Sequence, residues 1–106
     1  MKIVVNGKEA GTKENGCALC GGTWGDYYEE IDGEKLFFCC DICALEFVNM
    51  VNEVKKRTNW SRIDELIING NYYTGRTCSA KNGNREYKFY VKFNDDAGIE
   101  TFKELS

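Results

Sequence analysis

Cys17-Ala18-Leu19-Cys20-Gly21-Gly22 and, after eighteen intervening residues from Gly21 to Phe38, Cys39-Cys40-Asp41-Ile42-Cys43-Ala44-Leu45-Glu46-Phe47 are the stretches on which the reading of this chain turns. Each places thiols at short spacing, one opening a loop and the other opening a helix. The chain has no histidine with which to build a mixed site. Two such pairs make a tetrahedral thiolate cage, and zinc, borderline-soft and redox-inert, is the ion that such a cage favours at about 2.3 Å per sulfur. Cys17, Cys20 and Cys43 are candidate ligands. For the remaining one the pattern leaves two choices: Cys40 pairs with Cys43 at CxxC spacing, and Cys39 pairs with Cys43 at i and i+4 on one helical face.

The residues around the thiols suit ionised sulfur. A CxxC turn closing on Gly21 accepts an unusual φ and lets backbone N–H groups point back at the thiolates. Sulfurs at a helix start meet the positive end of the helix dipole, which favours the thiolate. Four thiolates fill every position on zinc and leave none for water, so the expected role is structural and not hydrolytic. Thioredoxin-like chemistry needs a CxxC at the head of a helix, whereas Gly21-Gly22 ends structure after the first pair.

Outward from the thiols, Tyr27 to Ile31, Asp32-Gly33 and Glu34 to Phe38 read as a β-hairpin, because a two-residue turn with positive φ favours Asp-Gly. From Asp41 to about Lys56 the pattern is helical, with Cys43, Ala44, Phe47, Val48, Val51 and Val54 on one side and Glu46, Asn49, Asn52 and Glu53 on the other. Asp41 and Lys55-Lys56-Arg57 suit the two ends of its dipole. Ile3-Val4-Val5 before Asn6-Gly7 reads as a strand and turn. Ser61 and Asp64 resemble a capping box for a short helix from Arg62 to Ile68, stopped by Asn69-Gly70. A second hairpin runs from Tyr72 through Ser79, turns at Lys81 to Asn84 and returns over Arg85 to Phe93, with Tyr87, Phe89, Val91 and Phe93 on its buried face. Asp95-Asp96 is positioned to cap a terminal helix carrying Ile99, Phe102 and Leu105. The expected architecture is α+β, one domain over 1–106 with a zinc-finger segment over 17–48.

The segment CALCGG, an aromatic hairpin and FFCCDICALEF together resemble treble-clef zinc fingers of the TRASH and MYM type. That resemblance implies Cys17, Cys20, Cys39 and Cys43 as ligands, with Phe38 and Phe47 as aromatic supports; Cys40 stands where that pattern often has serine. It also implies metal sensing, metal trafficking or regulatory contacts as classes of function. In length and layout the whole chain is similar to a small family of archaeal, Thermoplasma-type zinc-binding proteins, a likeness that implies no activity.

Composition bounds the rest. Fourteen aromatic residues (six Phe, six Tyr, two Trp) and 42% hydrophobic residues support a folded globule. No apolar run reaches the roughly 18 residues of a membrane span, and Met1 to Gly7 is too short for a signal peptide, so a soluble, cytoplasmic protein is expected. There thiols stay reduced, which favours metal over disulfides for six cysteines. The net charge of -3 is unevenly spread: 1–54 holds four basic and ten acidic groups, 55–93 nine and three, and 94–106 one and four. The basic segment 55–93 is the expected place for a protein or nucleic-acid partner; Arg76, Arg85, Lys88 and Lys92 with Tyr72, Tyr73 and Tyr90 would form a cationic, aromatic sheet face for single strands. Cys78, alone on an expected strand, reads as core filling. Without histidine, acid-base chemistry would fall to Asp26, Glu29, Glu30 and Asp32, which look like hairpin surface, so no enzyme is expected. The function expected is a non-enzymatic zinc-binding interaction or regulatory module, with metal sensing or trafficking through exchangeable thiolates as the alternative.

Overall fold

Alternation of apolar residues, not helical periodicity, organises most of this chain. The computed structural model describes residues 1–105. Its elements are β1 (Lys2–Val5), β2 (Lys8–Ala10), β3 (Tyr27–Ile31), β4 (Glu34–Phe38), α1 (Asp41–Thr58), β5 (Glu65–Asn71), β6 (Gly75–Asn82), β7 (Arg85–Phe93) and β8 (Ile99–Leu105). Six strands form a mixed sheet in the order β2-β1-β5-β6-β7-β8, while β3 and β4 pair separately as a hairpin. All neighbours in the sheet are antiparallel except β1 and β5. Parallel neighbours need a crossover. Here it consists of β2, the cysteine knuckle, the β3-β4 hairpin and α1.

The core lies between the crossover and one face of the sheet. Ile3, Val5, Leu66, Ile68, Cys78, Ala80, Phe89 and Val91 meet Phe47, Met50, Val51 and Val54 of α1, all buried in one cluster. The radius of gyration, 12.4 Å, agrees with the roughly 13 Å of a compact domain of this size. Among the described residues no helix is long and apolar enough to cross a membrane.

The Asp-Gly hairpin forms as its turn chemistry requires, with φ of 53° at Asp32 and 81° at Gly33 and Tyr27 paired to Phe38. Asn6-Gly7 closes β1 on β2 in the same way, with φ of 49° and 85°. The helix runs two residues beyond Lys56 and ends on Asn59 in the left-handed region, whose N–H donates to the Lys55 carbonyl. In β7, Tyr87, Phe89, Val91 and Phe93 are buried, as alternation predicts.

Two expected helices are strands instead. Arg62 to Ile68 does not form a helix because Asp64 is committed elsewhere: its N–H donates to the Lys81 carbonyl, its carbonyl accepts from Lys2, and its carboxylate accepts from the Gly83 N–H. Leu66-Ile67-Ile68 then enters β5 with alternate residues buried. Asn69-Gly70 lies inside that strand and does not stop a helix. At the end of the chain, Asn94 takes the capping role expected of Asp95-Asp96, its Oδ1 accepting from Asp96 and Gly98, and with Ala97 at φ 66° it closes a turn. Ile99 to Leu105 returns as β8, covering what would be a nine-residue open edge on β7. Phe102 stacks on Phe89 at 5.0 Å between centroids and on Tyr87 at 6.5 Å. Tyr72 and Tyr73 belong to the turn between β5 and β6, not to a strand.

Gly70 and Gly83 test the sheet. Gly70 has φ +119°, and a Cβ there would run into the Gly75 carbonyl oxygen of the paired strand, whereas Gly83 at φ +60° faces open space. Gly83→Ala is expected to cost about 1 kcal/mol from backbone strain alone, and Gly70→Ala about 3 kcal/mol or more. Urea denaturation of both variants checks the order.

Candidate metal centre

Three parts of the crossover deliver sulfur to one point. The knuckle is set by its glycines: Gly21 has φ +79°, and Gly16, at φ +115°, leaves no room for a Cβ beside the Gly21 carbonyl oxygen. Within it the Cys17 N–H donates to the Gly22 carbonyl and the Gly21 N–H to the Cys17 carbonyl. Leu19 and Cys20 N–H point at Cys17 Sγ at 3.4 and 3.5 Å, and Gly22 N–H points at Cys20 Sγ at 3.4 Å. Backbone donors aimed at sulfur stabilise its anionic form. The knuckle is tied to the hairpin by the Ala18 N–H donating to the Phe37 carbonyl, and the Phe37 N–H in turn reaches the Gly11 carbonyl.

The hairpin hands the chain to the helix at Cys39-Cys40. Cys40 is the N-cap residue of α1, with extended backbone (φ -161°), so Cys39 precedes the helix and Cys43 lies in its first turn. Phe38 and Phe47, both fully buried, meet edge to face at 5.3 Å behind the site. The Sγ atoms of Cys17, Cys20, Cys39 and Cys43 all lie within 4.8 Å of one another, close enough to hold a metal ion. Two of the separations are 3.6 Å (Cys20 to Cys39) and 3.5 Å (Cys39 to Cys43). Cys40 Sγ is 3.8 Å from Cys39 Sγ but stands outside this group of four. Cys78 sits in the core on β6, away from them.

Three of the thiols are displaced from the ordinary range by their neighbours and by burial. Hydrogen bonds from the Cys20 and Cys43 thiols hold the Cys17 sulfur far below the ordinary thiol range, against the opposing effect of burial. The same contacts with Cys17 and Cys20, aided by burial, push Cys43 up, and burial chiefly pushes Cys39 up. A thiolate at Cys17, which is wholly buried, is costly without a cation or proton donors beside it.

Beside the sulfurs lie two charged residues that sequence patterning misplaced. Glu46, expected on the polar side of α1, is only 3% exposed; burial raises its pKa, with Arg76 acting the other way. Arg76, expected on a solvent-facing cationic surface, is also 3% exposed, because it shares the core face of β6 with Cys78 and Ala80. Of the other expected members of that surface, Arg85 and Lys88 are exposed and Lys92 and Tyr90 half-buried, while the Tyr90 hydroxyl donates to the Thr74 carbonyl. The basic segment is largely neutralised where it stands: Lys55 pairs with Asp32, Arg57 with Glu53, Arg62 with Asp64, Lys81 with Glu65 and Lys92 with Glu100. Asp26, Glu29, Glu30 and Asp32 lie on or before the hairpin, as expected of its surface.

The model of the Ta0938 family matches residues 14–105, from just before the knuckle to the end of β8. The chain belongs to the Ta0938 family. This agrees with the likeness to a Thermoplasma-type family read from length and layout, and the match extends well past the cysteine segment to include the whole of β5 to β8. No curated protein and no solved structure matches the chain.

Cys78 supplies a test independent of the metal. Burial pushes its thiol from 9.0 up to about 12, with Arg76 pulling weakly the other way. The folded chain thus keeps a proton that the unfolded chain loses, so this contribution to stability is complete below pH 9 and is lost as pH rises from about 9 towards 12. The slope is at most about 1.4 kcal/mol per pH unit. Denaturation midpoints of Cys78→Ala should fall less steeply than those of the parent over that range.

Proposed function

We propose that Cys17, Cys20, Cys39 and Cys43 hold a single zinc ion in a structural site, and that residues 17–48 are a treble-clef-like finger within a non-enzymatic, cytoplasmic binding module. The observation that carries the reading is the convergence of four sulfurs from a knuckle and a helix head. In a regular tetrahedron with zinc about 2.3 Å from each sulfur, the sulfurs stand roughly 3.8 Å apart. The separations of 3.5 and 3.6 Å need only slight expansion to receive the ion. An all-sulfur, four-coordinate donor set selects zinc or iron, and zinc is the redox-inert member of that pair. Thiolates at all four positions leave none for substrate or water, which supports a scaffold in place of a hydrolytic centre. Cys39 serves in preference to Cys40 because the N-cap geometry of Cys40 keeps its sulfur out of the group.

The binding surface in this reading is the exposed apolar border of the finger: Trp24, Tyr27, Tyr28, Ile42 and Leu45 on the hairpin side and helix head. Such residues suit a protein or small-molecule partner better than a nucleic acid, whose phosphates need free cations. Five of the nine cations in 55–93 are already in ion pairs and Arg76 is buried. One observation favours a second reading, metal sensing or trafficking: Cys40, half-buried beside Cys39, is a spare thiol through which an ion could be passed.

Protein purified under reducing conditions should contain one zinc per chain by elemental analysis. Cys17→Ser should lose it and Cys40→Ser should keep it; stoichiometric iron, or no metal at all, sinks the proposal. Structural zinc contributes about 10 kcal/mol or more in small fingers, so strong chelation should melt at least residues 17–48, seen as loss of ordered circular dichroism. Challenge with copper(I) separates the two roles. Slow release of zinc supports the scaffold, and release within seconds that Cys40→Ser slows supports metal transfer.

A further inference from the structure

A cleft of about 690 Å³ opens beside the cysteine cluster, between the head of α1 and the ends of β5 and β6. Its volume is that of a small-molecule site. Cys20, Cys39 and Cys43 form part of its wall, and Trp24, Ile42 and Tyr73 stand around it, exposed by 65, 48 and 83%. The Trp24 ring lies so close to Gly22 that a Cβ at that position would overlap it, which fixes one face of the indole against the knuckle and leaves the other open.

Glu46 and Arg76 both line this cleft and both are 3% exposed. They are opposite in charge and each is within electrostatic reach of the other. Yet among the described residues no ion pair joins them. Arg76 Nε and Nη1 have no hydrogen-bond partner; the guanidinium lies over the Phe93 ring at 5.8 Å from its centre, at the outer limit of a cation–π contact, which gives those N–H groups no acceptor. Buried charges are costly unless paired, and a guanidinium with open donors is suited to a carboxylate. Asp95, also on the cleft and bonded to the Tyr72 hydroxyl at 2.6 Å, adds a second carboxylate. The lining thus offers one cation and two carboxylates beside flat apolar walls. A simple anion would leave Glu46 and Asp95 facing negative charge, and a simple cation would leave Arg76 unpaired.

We infer that the cleft binds a small zwitterion with a flat apolar side group, of the α-amino acid class. Its carboxylate meets Arg76, its ammonium meets Glu46 with Asp95 nearby, and its side group lies against Trp24 and Tyr73. This goes beyond the zinc reading, since none of the three charged groups is a cysteine. The two share a wall, and the experiment must keep them apart.

Isothermal titration of the metal-loaded protein with L-phenylalanine, phenethylamine and 3-phenylpropionate compares the zwitterion with the same body carrying only the cation or only the anion. L-Phenylalanine should bind saturably, and each singly charged analogue at least about tenfold more weakly, the equivalent of about 1.4 kcal/mol. Equal binding of either analogue overturns the assignment, as does the absence of saturation by L-phenylalanine, L-tyrosine and L-tryptophan up to about 10 mM. Trp24→Ala should weaken binding severalfold and Leu105→Ala, exposed on β8 and off the cleft, should not; equal effects would count against the indole wall. Glu46→Gln should selectively abolish the advantage over 3-phenylpropionate, and Arg76→Met, which removes the cation, the advantage over phenethylamine. Metal content is measured in every sample. Weak binding with metal retained counts against the cleft, whereas binding retained by a folded, metal-free sample counts against the zinc site alone.

Discussion

The meeting of Cys17 and Cys20 with Cys39 and Cys43 sets the shape of one whole layer of the molecule. The sulfurs are separated along the chain by a hairpin and can converge only if the knuckle is fastened to β4, as the Ala18-to-Phe37 hydrogen bond fastens it, and if the hairpin delivers the chain directly to a helix start. Phe38 and Phe47 fill the space behind that junction. Because β1 and β5 are parallel neighbours, all of this is also the crossover of the large sheet. With the proposed ion bound, the cysteine cluster would clamp the longest connection in the fold, where closing a loop gains most against chain entropy. The strands from β5 to β8 stand on a different basis, antiparallel pairing and aromatic packing, and need no such clamp.

That division explains what could be read from residues alone. In the crossover every level agrees: the CxxC turn ends in glycine, Asp32-Gly33 specifies its hairpin, and α1 has acid at its start and three cations at its end. β7 was equally legible, since nine residues alternate without interruption. The two errors share a cause. Arg62 to Ile68 and Ile99 to Leu105 carry apolar residues three apart that suit a helix as well as a strand, the first after Ser61 with Asp64 completing a capping-box pattern and the second after Asp95-Asp96. Strand neighbours far along the chain decided both: Asp64 is held by Lys2, Lys81 and Gly83, and Phe102 is drawn onto Phe89. No local propensity contains those contacts.

The charged residues were less legible than the apolar ones, for a related reason. Patterning assigns a charge to the wet face by default, so Glu46 was placed outward on α1 and Arg76 outward on β6. Parity along β6 already argues otherwise, because Arg76, Cys78 and Ala80 share one face and Cys78 was placed in the core. That parity was the available signal that the charge of Arg76 is buried. Likewise the segment 55–93 is basic in sequence yet offers little free positive surface, since its cations pair with acids from α1, β5, β8 and the β3-β4 turn. A block of charge along a chain is a patch only if the fold keeps its counter-charges away.

A saturated metal site and a functional surface are compatible when the first holds the second still. With the proposed ion bound, the four thiolates would present no open coordination position, and any recognition would fall to the groups around the cysteine cluster. Here those groups are unusual for their positions: an indole seated on a glycine of the knuckle, a glutamate three residues beyond Cys43, and an arginine on the core face of a central strand. Two of the three belong to the cysteine segment and the third to the sheet. The cleft thus forms only when the crossover and the sheet are docked, and its geometry depends on the same convergence of sulfurs that clamps the crossover. In the proposed reading, fold stability and recognition would be coupled through that one junction, beside which the buried charges of Glu46 and Arg76 stand.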